Sequence, residues 1–369
     1  MIKKKICIIS TGLGFGGAEM MLYRLLKNIN KDKYEFLVIS LLDRPGDLEE
    51  KIRDLGIETI NLNINNKIQF YRLIKLYRII KDYNPNILHT QLFHANIAGR
   101  IFGKLAGVPY IISSIRNNKF KNNLRYKAMA LTDKLADVTT VVSGNAADDM
   151  INAGALSEER AKVLYNGLDV EEFLSSINTD NLEDELKLEK EVPTIISVGS
   201  LTEQKGYDVL LDSLHTLDDK EYNFNYIIAG EGNKREFIEP KISDYNLSEK
   251  VKLLGRRDDV ASLLSISDIF VLSSKWEGLP GVVIEAMAVG LPVIATDVGG
   301  VNEIIDDGED GFVVQPNDPE EIANKIIEVL SLSEKEKDLL SENARNKINN
   351  KFHVDIMVKN YEDLYDSFK

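Results

Sequence analysis

Short runs of β-branched and other apolar residues alternate along the chain with longer amphipathic stretches. This alternation predicts parallel sheets wrapped by helices, because strands buried on both faces read as near-continuous apolar runs. In the first half the runs predict strands near 4–10, 35–42, 57–62, 86–90, 109–114 and 138–142. Helices are predicted near 17–30, 47–55, 68–83, 94–107, 124–136 and 144–153. The turn LYNGLDVEEF (164–173) leads into a polar, acidic stretch, SSINTDNLEDELKLEKE (175–191), which reads as a linker. A second series then begins afresh, with strands at 194–199, 224–230, 251–254, 268–272, 292–296 and 312–314. Residues 320–369 are helical by period and contain no glycine. The expectation is an α/β protein of two Rossmann-like domains, with a ligand held beyond the carboxyl ends of the strands in a cleft the two share.

A length of 369 residues suits two domains of ordinary size, and 44% hydrophobic with 28% charged residues is a globular composition. No apolar run approaches the roughly 18 residues of a membrane-spanning helix. The opening MIKKKICIIS loses its apolar character at Ser10 and enters a glycine-rich turn, so it reads as a first strand and not as a signal peptide. The single cysteine, Cys7, lies in that apolar run, which rules out a disulfide framework and fits a reducing cytoplasm. The net charge of −14 hides an asymmetry. Residues 1–170 hold 25 Lys and Arg against 17 Asp and Glu, a net of +8, so the remainder carries −22. Basic residues gather in KIQFYRLIKLYRIIKDY (67–83) and in IRNNKFKNNLRYK (115–127), the latter with Arg116, Lys119, Lys121, Arg125 and Lys127. Each is either a solvated surface or a face for an anionic membrane or a phosphate-bearing acceptor. The acidity of the whole chain and the lack of aromatic-basic interleaving argue against nucleic acid.

Two segments carry candidate chemistry. TGLGFGGAE (11–19) follows the first strand and precedes a helix, and contains Gly12-x-Gly14-x-x-Gly17. Glycines there let the backbone approach a phosphate, and the helix N-terminus offers unpaired N–H groups. This motif alone suits an NAD(P)-dependent dehydrogenase, with Asp43 as the ribose-binding acid, as well as it suits a nucleotide sugar. The other segment is SSKWEGLPGVVIEAMAVGLPVIATDVGG (273–300), in which Glu277 precedes a helix starting near Pro280 or Gly281 and Glu285 lies one turn inside. Two carboxylates eight residues apart can bracket a polyhydroxyl ligand, since each accepts two hydroxyl hydrogen bonds. The backbone amides of Leu279, Pro280's neighbours Gly281 and Val282, and the helix N-terminus would meet its phosphates.

Glu277-x7-Glu285 within EGLPGVVIEAMAVGLPVIA resembles the signature of the retaining glycosyltransferases of family 4, which have the GT-B fold. GGAE (16–19), HTQLFHANIAGRIFGKLAGVP (89–109), YNGLD (165–169), VGSLTEQKG (198–206) and LLGRRDDVASLL (253–264) are similar to family segments and fall in the family's order. The resemblance implies an N-terminal acceptor-side domain at 1–172 and a nucleotide-sugar domain at 190–350, with a last helix, 351–369, packing back on the first. It implies that Glu277 contacts the donor sugar, Glu285 the ribose and Lys205 the diphosphate, with Gly16 and Gly17 approaching that diphosphate and Arg256–Asp259 beside the base. Two positions depart from the family pattern. Ser200 stands where many members have an arginine, leaving Arg256 or Arg257 as the second cation. His89-Thr90-Gln91 replaces a common H-x-H, so His94 is taken as the catalytic histidine and His89 as a packed residue.

The implied reaction is retaining transfer, the nucleotide diphosphate leaving while the acceptor hydroxyl enters on the same face. Such catalysis is placement and charge stabilisation, with no cofactor and no metal. The partners implied are a nucleotide-sugar donor, UDP ahead of GDP, and a glycan or lipid-linked acceptor in surface polysaccharide synthesis. The location implied is the cytoplasm, with peripheral attachment to the inner face of the cytoplasmic membrane. The rivals are the dehydrogenase, a catalytically idle nucleotide- or lipid-binding module, and a nucleotide-sugar 2-epimerase.

Overall fold

The computed structural model describes residues 3–14, 16–43, 46–65, 69, 71–116, 119–120 and 122–368. The chain divides into two compact units, residues 1–167 with 354–369, and residues 168–353.

The first unit alternates strand and helix. It runs β1 (Lys4–Ser10), α1 (Gly17–Asn28), β2 (Tyr34–Ser40), α2 (Leu48–Asp54), β3 (Glu58–Asn61) and α3 (Arg72–Tyr83). Then come β4 (Ile87–Gln91), α4 (Phe93–Ala106), β5 (Tyr110–Ile115), α5 (Asn123–Asp133), β6 (Val138–Val141), α6 (Gly144–Asn152) and β7 (Ala161–Val163). The strands form one sheet in the order β3-β2-β1-β4-β5-β6-β7, parallel throughout. Ile6, Ile8 and Val38 face one core with Leu22 and Leu25 of α1, while Cys7, Ile9 and Leu37 face another with Leu76 and Ile80 of α3. The apolar strand runs are therefore buried on both faces, as a doubly covered parallel sheet requires.

The second unit runs α7 (Val170–Ser175), α8 (Leu182–Leu186), β8 (Thr194–Val198), α9 (Tyr207–Asp219), β9 (Asn225–Ala229), α10 (Arg235–Asp244) and β10 (Val251–Gly255). It continues with α11 (Val260–Ser265), β11 (Ile269–Leu272), α12 (Gly281–Val289), β12 (Val293–Thr296), α13 (Val301–Ile304), β13 (Phe312–Val314), α14 (Pro319–Leu330) and α15 (Glu334–Lys351). Its parallel sheet has the order β10-β9-β8-β11-β12-β13. Helix ends are chemically marked. Asp318 caps α14 ahead of Pro319, and Ser333 and Glu336 form a reciprocal capping box on α15. The chain then returns to the first unit as α16 (Val354–Ser367), whose Val354, Met357, Tyr361 and Tyr365 join the core of β1 and β2.

The acidic stretch 175–191 is not the open linker its composition suggests. It contains α8, whose Leu182 and Leu186 are buried, and it is tied to the second unit by Asn178 N–H donating to Ser262 Oγ and by Arg257 Nη1 donating to Glu185. Two leucines one helical turn apart suffice to anchor it, a signal that charge density masks. The short strand β7 was likewise unread, being three residues long with an exposed lysine at its centre. The helix expected over 68–83 begins at Arg72, and residues 67, 68 and 70 lie outside the described residues.

Candidate active site

In an open parallel sheet the strand order reverses direction once, and the loops leaving the two strands on either side of that point splay apart to make a crevice. In the second unit the reversal lies between β8 and β11. Lys205 is carried by the loop after β8, and Glu277 by the loop after β11. Their side chains meet, Lys205 Nζ donating to Glu277 Oε1 at 2.7 Å. Ser274 Oγ donates to the same oxygen at 2.7 Å, and Gln204 Nε2 to Oε2 at 3.2 Å. Glu277 is 6% exposed. This carboxylate is thus presented through a full set of donors, and its charge is balanced by one lysine.

The backbone explains the placement. Lys205 ends a single 3-10 turn, and Gly206 follows at φ +63, where a Cβ would lie 2.1 Å from the Ser273 carbonyl oxygen. Only glycine can hold this left-handed turn against β11's exit. Ser273 Oγ donates to the Lys205 carbonyl at 2.9 Å, and Lys275 N–H to the Gln204 carbonyl at 2.7 Å, so the two loops are stitched together. On the far side Gly299, at φ +56, brings its Cα against the Glu277 carbonyl, 2.1 Å from where a Cβ would stand. Gly300 N–H then donates to the Gly278 carbonyl at 2.8 Å. The helix α12 opens at Gly281 behind Pro280, with no side-chain cap on its first turn. Leu279 and Pro280 are buried, Gly281 and Val282 half-buried, and Glu285 half-buried one turn in. An uncapped N-terminus beside a lysine is a place for phosphate oxygens.

The remaining expected site residues are distributed more widely. Arg257 is committed to Asp259 by two hydrogen bonds of 2.8 and 2.6 Å and to Glu185 at 2.9 Å, and holds the Asp259 carboxyl below its usual range. Arg256 is exposed and pairs with Asp258 at 3.2 Å. Ser200 is exposed. Lys275, unnoticed in the sequence, bridges Glu203 and Asp208 at 3.0 and 2.7 Å, and the Glu203 carboxyl is drawn down to about 2 by Lys234 first and Lys275 second. Gln204 and Ser274 were also missed, although both sit within three residues of a residue already singled out.

In the first unit the reversal lies between β1 and β4. Gly16 is the extended residue before α1 and Gly17 opens that helix, both exposed. The three strand-end residues His89, Thr90 and Gln91 are all buried and all satisfied within the unit. His89 Nδ1 and Nε2 lie 2.8 Å from Tyr365 Oη and Ser114 Oγ, and burial, with Arg116 nearby, pushes its imidazole down to about 3. Thr90 Oγ1 donates to Asn96 Oδ1, and Gln91 Nε2 to Ser10 Oγ. Leu92 then adopts φ +69 and ψ 160, a conformation nearly confined to glycine. That strained residue turns the chain into α4 and sets Phe93 and His94 at its start, with His94 exposed and edge-on to the Phe93 ring. Of the expected acceptor-side cations, Arg125 stacks on Phe93 with its guanidinium carbon 4.8 Å from the ring centroid, and Lys119 is exposed. Arg116 points inward instead, donating to Asn166 Oδ1 at 2.9 Å and Tyr361 Oη at 3.1 Å. Lys121 lies outside the described residues.

Comparisons with known proteins identify the family to which this fold belongs. Residues 15–172 match the family model described as Glycosyltransferase Family 4, and residues 178–347 the one described as Glycosyl transferases group 1. The UDP-Gal:alpha-D-GlcNAc-diphosphoundecaprenol alpha-1,3-galactosyltransferase of Escherichia coli is 30% identical over 330 residues, 86% of this chain and 84% of that protein. This chain is a family 4 glycosyltransferase. Among its other relatives is the capsular polysaccharide biosynthesis glycosyltransferase CapM of Staphylococcus aureus, 26% identical over 311 residues and 80% of each chain. Anabaena HepE in complex with UDP superposes on the glycosyltransferase with a TM-score of 0.84 at 22% identity, covering 98% of this chain and 100% of that one. A glycosyltransferase from Rickettsia africae gives 0.86 at 23% identity, covering 99% and 98%. The fold is therefore GT-B, and the dehydrogenase reading of the Gly12–Gly17 loop is set aside. No helix among the described residues is long and apolar enough to cross a membrane.

Proposed function

We propose that this glycosyltransferase moves a sugar with retention from a nucleotide sugar, a UDP-sugar ahead of a GDP-sugar, to a glycan or polyprenyl-diphosphate-linked acceptor in surface polysaccharide synthesis. The observation that carries the donor side is the Lys205–Glu277 pair at the strand-order reversal of the second sheet, beside the uncapped N-terminus of α12. In this reading the donor diphosphate takes Lys205 and the amides of Leu279, Gly281 and Val282. Glu277 turns to the sugar hydroxyls, Glu285 to the ribose, and Arg256 lies toward the base. Gly16 and Gly17 would add close backbone to the diphosphate.

The bond from the anomeric carbon to the diphosphate oxygen breaks, and the acceptor oxygen bonds to that carbon on the same face. Its proton passes to a leaving phosphate oxygen. Lys205 and the helix N-terminus stabilise the charge that grows on the diphosphate, a task a metal ion performs elsewhere. His94 is proposed as the catalytic histidine, the strained Leu92 setting the start of the helix that carries it. The acceptor class rests on the names of relatives. The Escherichia coli protein is named for a diphosphoundecaprenol-linked substrate and CapM for capsular polysaccharide, and UDP is bound in HepE. Such an acceptor would be met at the cytoplasmic face of the membrane, where Lys119 and Arg125 suit anionic groups.

The test is a donor screen that reads nucleotide release across UDP- and GDP-sugars, with lipid-linked acceptor present and absent. Acceptor-dependent release from one donor, abolished in Glu277→Ala, with NMR showing the product's anomeric configuration unchanged, is expected. An inverted product, or full activity in Glu277→Ala, would overturn the reading.

A further inference from the structure

Six of the eleven exposed large apolar side chains among the described residues gather on one part of the first unit. Among the described residues, Tyr71, Ile74, Ile101, Leu105, Leu124 and Leu131 all lie on or beside α3, α4 and α5 of the first unit. On α4, Ile97, Ile101 and Leu105 recur every four residues, and on α5 Leu124, Ala128 and Leu131 are spaced four and three apart, along one helical face. Such concentration on one surface marks a place that is covered in function. Between the two stripes, against Leu41 and Ile64 from the loops beyond β2 and β3, lies a cavity of about 490 Å³. Its volume falls in the range of small-molecule sites, and its lining is almost wholly hydrocarbon.

The polar groups at this cavity are few: Asn122, His94 and Arg125. His94 and Arg125 line it together with Phe93, on whose ring Arg125 rests. The helix α4 contains no acidic residue, and Lys75, Arg78, Lys104 and Lys127 are exposed on the three helices around it. Hydrocarbon walls with a guanidinium and an imidazole among them fit an amphiphile with an anionic head and an apolar chain. They do not fit a free sugar, which needs a ring of hydrogen-bonding partners.

We infer that this cavity takes the hydrocarbon chain of the acceptor's own lipid, with the lipid's diphosphate at Arg125 and His94. The inference rests on the lipid-linked acceptor proposed above and locates its tail. The cavity lies beyond the ends of β2 and β4, and its His94 is on the β4 side of the reversal between β1 and β4, so a head group at His94 stands where that sheet would offer a substrate. The acceptor would then be measured by its lipid as well as by its sugar.

The full-length protein, saturated with UDP so that phosphate sites on the second unit are filled, is titrated by calorimetry with inorganic diphosphate, dimethylallyl diphosphate and farnesyl diphosphate. Affinity is expected to rise along that series, farnesyl diphosphate binding at least about tenfold more tightly than dimethylallyl diphosphate as more methylene surface is buried. Ala128→Phe, which fills the cavity, should weaken farnesyl diphosphate about tenfold or more and leave inorganic diphosphate unchanged, and Leu124→Glu, a change at a residue 74% exposed, should weaken farnesyl diphosphate about tenfold or more and inorganic diphosphate by less. Hydrogen exchange of the first sheet separates this from misfolding, and the exposed position of Leu124 keeps one variant informative. Affinity independent of chain length, or unchanged in both variants, would overturn the inference. So would binding to vesicles of anionic phospholipid without binding of farnesyl diphosphate, which would make the surface a membrane face. Self-association abolished by Leu124→Glu without farnesyl diphosphate binding would make it a dimer contact, and would also overturn it. Cleavage of a UDP-sugar that persists when farnesyl diphosphate fails to bind overturns the tail site alone. Farnesyl diphosphate that binds as expected in a protein inert toward every donor supports the tail site and counts against the donor reading.

Discussion

The Lys205–Glu277 pair can be dissected by a double-mutant cycle. Their side chains are 15% and 8% exposed and 2.7 Å apart, so both charges are largely out of water and each depends on the other. Lys205→Met leaves the Glu277 carboxylate with Ser274 and Gln204 but no countercharge. Glu277→Gln leaves an ammonium among neutral groups. Breaking a buried pair by removing one partner costs about 3–5 kcal/mol, and the residual exposure of Lys205 puts the expectation at the lower end, about 3 kcal/mol for each single variant. The double variant has no orphaned charge and is expected to lose less than the sum, with a coupling of about 2 kcal/mol. The assay is urea unfolding followed by the fluorescence of Trp276, the chain's single tryptophan, which neighbours Glu277 and so reports the second unit. Single effects that add within about 0.5 kcal/mol would refute the coupling. Nucleotide release in the same proteins tests the proposed chemistry, since loss of a charge-stabilising group typically lowers turnover about 10²–10³-fold. Lys205→Met retaining turnover within about tenfold would remove its diphosphate role.

Gly299→Ala is expected to destabilise the second unit by about 1–3 kcal/mol and to raise the donor KM, because the added Cβ meets the Glu277 carbonyl and the backbone must leave the left-handed region. Unchanged donor kinetics would disprove that coupling. His89 gives the first unit a pH dependence. Its imidazole is held near 3 when folded against an ordinary 6.5, so its contribution is fully present above about pH 6.5 and is lost as pH falls toward 3, at up to about 1.4 kcal/mol per unit. Exchange protection of β4, corrected for the intrinsic rate, should fall as pH drops below 6.5 in the wild type and stay level in His89→Gln; identical profiles would exclude His89 as the source. Arg100 is fully buried, with Nε donating to Ser113, Nη2 to Thr139, Nη1 to Thr132, and Asp133 3.9 Å away. Arg100→Lys is expected to cost about 3 kcal/mol in thermal or urea unfolding, since one ammonium cannot span those partners, and a loss below about 1 kcal/mol would contradict this.

The parallel sheets were legible because buried parallel strands announce themselves as apolar runs, and β1, β2, β8 and β12 fall where ICIIS, EFLVIS, TIISV and VIAT stand. The strand β4 was harder, since its last three residues, His89, Thr90 and Gln91, are polar and yet buried. Their burial depends on partners from β1, β5, α4 and α16, which no local pattern contains. The same holds for Arg116. Its place in a basic run suggested an open surface, but Tyr361 reaches it from 245 residues away. Glu277 and Glu285 were found because nine consecutive residues of one loop and helix hold both. The partnership of Lys205 with Glu277 spans 72 residues and came from the sequence only as two separate roles. Charge alone could not say that Lys275 would be absorbed by Glu203 and Asp208 while Lys205 took the site's carboxylate.

That partnership bears on how the proposed donor would bind. Lys205 and Glu277 neutralise each other, so neither is an isolated buried charge. A donor that engages both performs an exchange, its diphosphate replacing the carboxylate on the lysine while sugar hydroxyls replace the ammonium on the carboxylate. A nucleoside diphosphate alone completes half of this exchange, drawing away the lysine and leaving Glu277 with Ser274 and Gln204. The sugar is thereby favoured for a reason beyond its own contacts, because its hydroxyls relieve a charge that the diphosphate exposes. Once the sugar has gone to the acceptor, the same imbalance returns and works against the bound nucleotide. Re-forming the Lys205–Glu277 bond then assists its departure. In that reading the two residues would act as one unit, favouring the intact donor at the start of a turnover and release of the nucleotide at its end.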